Sequence, residues 1–333
     1  MFKFFRKIRK GLLTENRLGK YLLYAIGEIV LVVIGILIAL NLNNQNQQRE
    51  TEAKVKSIFV DIMDELSNDI EKTSSLMNFY ALKDSTIHLV LNNHLKLEDY
   101  NTNEIPFLFG LTNSFQPVGL TRNAYNNLIE DLDAIPSYYS DVLKDLNLLY
   151  DRSRMIADID KELGGFVLEN SRIRMRNYSW FAAVGEAHKK GKIDFMMNDF
   201  RYKNEVLGYL SLGIFNQLGN SIGYRQQAIE CYQKIAELLD KPVNHESFII
   251  DSEISKILVG NWYDVNDPEY IATFFIDDNR LYIKNNRIER QGEVFYLPRF
   301  NKILNDGLEY HSISKDDNEV VLKHNEYILK KLD

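Results

Sequence analysis

Cysteine is almost missing from this chain: Cys231 is the one thiol in 333 residues. A single thiol cannot form an internal disulfide and leaves no cysteine-based metal site, so stability has to come from burial. Histidine adds nothing that reads as a ligand set. His88, His94, His188, His245, His311 and His324 show no metal spacing, and His245-Glu246 lacks the second histidine of a zinc-protease helix. The sequence therefore names no metal and no cofactor. A glycine loop of the phosphate-binding kind is absent as well. The chain also lacks a Lys/Arg-rich run after residue 42, within a net charge of −7. Phosphate neutralisation needs clustered cations, which argues against nucleic acid as a partner.

What is present first is an anchor. Residues 21–42 read YLLYAIGEIVLVVIGILIALNL, and about 22 residues at roughly 1.5 Å each cross the roughly 30 Å hydrocarbon layer. A cleaved export signal has a shorter apolar core with small residues before the cut, whereas here Ala39 runs straight into Leu40, Asn41 and Leu42, so the segment is read as retained. Lys3, Arg6, Lys7, Arg9, Lys10, Arg17 and Lys20 precede it, against Glu15, and the next cation is Arg49. The positive-inside rule then keeps the N-terminus cytoplasmic and exports the rest. The expectation is a single-pass protein of a bacterial inner membrane with a periplasmic bulk. Residues 1–20, with Phe2, Phe4, Phe5, Ile8, Leu12 and Leu13 among the cations, read either as a basic amphipathic helix on anionic headgroups or as a plain orientation signal.

Within the span, Ala25, Glu28, Val32, Gly35 and Ala39 recur at alternating three- and four-residue steps. This places small residues and a carboxyl group on one face, a pattern for contact with another transmembrane helix, from a partner or a second copy. The competing reading has Glu28 extending to the headgroups. The run FFRKIRKGLLTENRLGKYLLYAIGEIVLVVIGILIALNLNN resembles the opening of membrane proteins from Gram-negative bacteria, the domain of unknown function 6090 family. SFQPVGLTRNAYNNLIEDLDAIPS has the character of that family's middle region. The resemblance implies a membrane-anchored, largely helical protein and carries over no catalytic residues.

Beyond the anchor, Val55, Ile58, Phe59, Ile62, Leu66 and Ile70 mark an amphipathic helix. A second apolar run, from Val206 through Leu210, Ile214, Phe215, Leu218, Ile222, Ile229 and Ile235 to Leu239, stops at Pro242. These two helices are expected to pack antiparallel, with shorter helices over 86–97, 120–132, 137–164 and 195–202 between proline and glycine breaks. From about residue 253 the texture changes to short alternating segments separated by turn residues, which predicts an antiparallel sheet or small barrel. The fold class is thus mainly α: a transmembrane helix, an extramembrane helical bundle over 43–242, a linker over 243–252, and a small β module over 253–333. The phrase LVGNWYDV resembles the Gly-x-Trp of the first strand in lipocalin-like barrels, with Gly260 and Trp262 at the matching positions. Its tryptophan closes one barrel end. A filled module is expected rather than a ligand carrier, because so few residues are available.

Two further constellations bear on function. Gly219-Asn220-Ser221-Ile222-Gly223 matches a G-x-S-x-G elbow, but that motif needs a strand before the serine and here both flanks read as helix. Arg172, Arg174 and Arg176 precede Tyr178, Trp180 and Phe181, a cluster suited to docking on headgroups or an acidic partner, or else a solvated face beside buried aromatics. Acidic groups such as Glu130, Asp131 and Asp133, or Asp277 and Asp278, read as solvated charge. No catalytic constellation emerges. The expectation is a non-enzymatic, membrane-tethered protein presenting surfaces to other envelope proteins. A lipid- or small-ligand-binding β module around Trp262, and a hydrolase at Ser221, are the alternatives. About twenty cytoplasmic residues are too few for a folded output domain.

Overall fold

The computed structural model describes residues 18–130, 135–243, 250–305, 307–316, 319–324 and 326–332. The basic segment up to residue 17, Asp131 and Asp133, and residues 244–249 of the expected linker with His245 lie outside these. The first helix, α1, is Leu18–Ala81, 64 residues without a break, or roughly 96 Å at about 1.5 Å per residue. Its apolar N-terminal part is long enough to cross a membrane, and none of that stretch is buried within the chain. A polar stalk of Asn and Gln follows, and burial begins at Val55. From there Phe59, Ile62, Leu66 and Ile70 are fully enclosed, as their helical spacing requires.

Short α2 (Asp84–Leu91) and α3 (Asn123–Glu130) flank an irregular segment, and α4 (Ser140–Asn177) runs far past the expected end near Gly164. The helix continues through Gly164, whose missing side chain makes room for the Phe115 ring: a Cβ there would lie 2.7 Å from Cζ. Where a single helix over 195–202 is expected, the chain breaks at Asp199. Its carboxylate accepts the Arg201 backbone N–H (3.0 Å) and caps the next helix. The helices are therefore α5 (Gly185–Asn198) and α6 (Phe200–Tyr209). The latter continues through a π-helical stretch, Leu210–Leu218, into α7 (Gly219–Leu238). That wider turn rephases the face, so Leu207 and Phe215 point to solvent while Val206, Ile214 and Leu218 are buried.

The α1/α7 pairing is antiparallel. Tyr80 donates to Gln217 Oε1 at one level (2.5 Å), and Tyr224 donates to Asp69 Oδ2 at another (2.9 Å).

A short helix missed in the sequence, α8 (Ser252–Leu258), is capped by Asp251, whose carboxylate accepts the Glu253 and Ile254 N–H groups. Among the described residues nine antiparallel strands follow: β1 Gly260–Asp264, β2 Asp267–Asp277, β3 Arg280–Asn285, β4 Gln291–Glu293, β5 Phe295–Leu297, β6 Lys302–Leu304, β7 Tyr310–Asp316, β8 Glu319–His324 and β9 Tyr327–Lys331. Their order, β4-β3-β2-β1-β9-β8-β7-β6-β5, makes the sheet nearly closed. First and last strands pair, Trp262 opposite Lys331. The two edges β4 and β5 are one stretch of chain divided at Val294, whose N–H donates to Leu281 C=O (2.8 Å). One half of that stretch pairs with β3 and the other with β6. Trp262, Ala272, Phe274, Leu281, Ile303, Leu322 and Leu329 fill the interior. Phe295, Leu297, Leu304 and Tyr310 instead join the core of the bundle. Tyr310 Oη donates to the Met77 carbonyl (2.9 Å), which fastens the module to α1.

Candidate functional site

On α1, Glu28, Val32, Gly35 and Ala39 are exposed and Ala25 partly so, with nothing within 4 Å of the position where a Gly35 side chain would sit. Among the described residues, none packs on this face at Gly35. The face is thus available to lipid or to another helix.

The arginine cluster separates. Residues two apart on a helix cannot share a face, and Arg174 turns inward while Arg172 and Arg176 stay exposed. This corrects the reading of a three-arginine surface. The Arg174 guanidinium donates to Glu205 Oε2 (2.9 Å) and Thr112 Oγ1 (3.1 Å), bridging α4, α6 and the irregular segment. Burial raises the Glu205 carboxyl's pKa against the opposing pull of Arg174.

Around this pair the aromatic residues form a cap at the end of the bundle farthest along α1. Trp180 lies across Gly191, where any side chain would overlap its indole, and it packs on Tyr178, Phe195 and His188. Arg201 chelates Asp199 (2.7 and 2.9 Å) and lies over the Tyr178 ring. Its hydrogen bonds hold the Asp199 carboxyl well below the usual carboxylate range. A cavity of about 60 Å³ opens behind Trp180, and a wider groove of about 870 Å³ shares Trp180 and Phe195 with it.

In the β module, Trp262 is fully buried and its indole N–H donates to the Leu258 carbonyl of α8 (2.7 Å). Gly260 has φ +132°, a backbone conformation that favours glycine, with Lys331 close against it. The pair therefore sits where α8 meets the barrel end.

Ser221 lies mid-helix in α7, fully buried, and donates to the Gln217 carbonyl one turn back (2.7 Å). No strand delivers it, so the elbow geometry is absent at this serine. Gly219 touches Leu308 of the β module, and Gly223 leaves space for the Arg152 guanidinium. Three histidines distant in sequence do meet: His88 of α2 packs on His324 of the sheet (ring centroids 5.6 Å apart), which in turn packs on His311 (5.2 Å). Among the described residues no group of three converges as a metal ion would need.

The irregular segment after α2 has few backbone partners of its own. Buried side chains hold it instead. Lys83 Nζ donates to the carbonyls of Leu111 (3.0 Å) and Ser114 (2.7 Å), and Gln217 Nε2 donates to Gln116 C=O (2.8 Å). Asp160 accepts Val118 N–H (2.8 Å), and Asp69 accepts Thr121 N–H (2.9 Å).

Residues 28–116 match the model of a family of unknown function, DUF6090. The match runs from Glu28 in the span through the stalk and the buried half of α1 to the segment that Lys83 holds. The family resemblance read from the sequence is borne out over this stretch. The matched stretch thus takes in most of the apolar part of α1 and its buried part as one continuous rod. No curated protein and no solved structure matches the chain.

Proposed function

We propose that this is a membrane-tethered interaction protein, with its N-terminus cytoplasmic and its bundle and β module in the periplasm, where they offer surfaces to other envelope proteins. The observation that carries the reading is the uninterrupted α1. The stalk adds no flexible joint, so the body is held at a fixed distance from the bilayer. Counting from residue 42, the end of α1 stands roughly 58 Å out at about 1.5 Å per residue. Near that end Val184 is 86% and Phe200 71% exposed, large apolar groups placed where a partner rather than the bilayer would meet them. The face through Glu28 and Gly35 fits a helix contact within the membrane, with a second copy or with the partner's own span. The filled interior around Trp262 favours a structural β module over a carrier of apolar ligands.

The test is crosslinking of the full chain in its native membrane, followed by mass spectrometry of proteins and lipids. A reproducible envelope partner, lost when the region after residue 42 is removed, is the expected result. Recovery of a stoichiometric lipid without a protein partner would overturn the reading in favour of a carrier.

A further inference from the structure

The cavity behind Trp180 has an unusual set of walls. Trp180 Nε1 and the Tyr202 hydroxyl are both buried and have no hydrogen-bond partner, and Tyr202 is 3% exposed. Lys192 lines the same cavity. Among the described residues its ammonium makes no ion pair or hydrogen bond; its one described contact is with the face of the Phe109 ring, 5.5 Å away. Arg174, the other cation in the wall, already has Glu205 to answer its charge (2.9 Å). An indole N–H and an ammonium can only donate, and a phenol readily does. Unsatisfied buried donors are rare in native proteins and call for a partner. Two of them facing one cavity, beside the half-buried Lys192 ammonium, call for an acceptor.

Water satisfies an acceptor role only in part, since it leaves the Lys192 charge unanswered in partly desolvated surroundings. A monoanion supplies both acceptor oxygens and the missing charge. Size narrows the choice. Water occupies about 10–15 Å³ on this scale, so a cavity of about 60 Å³ holds roughly four to six atoms of that size. A carboxylate's two oxygens suit a set of three donors, whereas phosphate would bring more charge and more acceptors than the walls can meet. We propose that this cavity binds a small free carboxylate of about the size of acetate, held by Lys192, Trp180 and Tyr202. The aromatic cap then acts as the cover of a ligand site, and occupancy is linked to the shape of the adjoining groove.

The chain contains two tryptophans, one in this wall and one sealed in the β module, which provides an internal control. The full chain in detergent, labelled with 5-fluorotryptophan, gives one fluorine resonance from each. On titration with sodium acetate against sodium chloride of equal ionic strength, the Trp180 resonance shifts saturably and the Trp262 resonance stays in place. Acetamide, which keeps the shape and loses the charge, produces no such shift. Lys192→Met weakens acetate binding at least tenfold with the Trp262 resonance native. If that variant loses the native Trp262 signal, Tyr202→Phe makes the same comparison with one oxygen removed. A Trp180 resonance indifferent to acetate would show that the cavity holds water alone, and one equally responsive to acetamide, or titrating unchanged in the folded variant, would show that no carboxylate is recognised there through Lys192.

Discussion

Lys83 is fully buried and, among the described residues, no carboxylate pairs with it. Its ammonium is instead surrounded by carbonyl and hydroxyl oxygens, with Tyr209 Oη at 2.7 Å, and by the rings of Phe79, Phe107 and Tyr209. Burial pulls its pKa down from 10.5 to about 7. Above about pH 7 the unfolded chain therefore binds more protons at this residue than the folded one. Stability rises with pH across that window and levels off above about 10.5, the unfolded value. Urea unfolding of the full chain in detergent at pH 7 and pH 9 is expected to show a higher midpoint at the higher pH. Lys83→Met removes that increment, because no titrating group remains, and leaves the Leu111 carbonyl short of a donor at a cost of about 1–3 kcal/mol. An increment of equal size in the variant would mean that another group controls the pH dependence.

At the level of the elements, two glycines of one continuous helix make opposite predictions. A Cβ on Gly213 would lie 2.7 Å from Tyr80 Oη, on a ring that is fully buried and tied to Gln217. Gly213→Ala is expected to lower stability by about 1–3 kcal/mol. At Gly223 the neighbour is the mobile end of Arg152, which can swing aside, so Gly223→Ala is expected to be neutral or stabilising by up to about 1 kcal/mol. Thermal unfolding of the two variants separates these outcomes, and equal losses would refute the distinction. The same contrast explains what could be read beforehand. The alternation of Val55, Phe59, Ile62, Leu66 and Ile70 is local and survives as a buried stripe. The turn pairs Asp278-Asn279 and Asn285-Asn286 likewise mark strand ends. By contrast, the inward turn of Arg174, the Gly164–Phe115 contact and the meeting of three histidines depend on partners far along the chain, which no local spacing encodes. A helix start at Asp251 was readable from its cap and the apolar Ile254, Ile257 and Leu258, and was obscured by the strand-like texture after it.

For the molecule as a whole, the bundle and the β module share a core. Phe295, Leu297, Leu304 and Tyr310 face the helices, so a fragment starting near residue 250 would expose them together. Such a fragment is expected to aggregate or to unfold at lower denaturant than the same region in the full chain, as solubility and urea titration would report. An isolated module as stable as the intact one would mean that the shared core contributes little. The pairing of β1 with β9 has a further implication for biogenesis. Strands that lie at opposite ends of the module must find each other before the ring is complete, a long-range closure of the slow kind. Residues 327–331 leave the ribosome after the other strands of the module, so the module cannot seal until β9 has emerged. A nascent chain that stalls before β9 emerges would display unpaired strand edges, a ready handle for proteases that survey incomplete proteins.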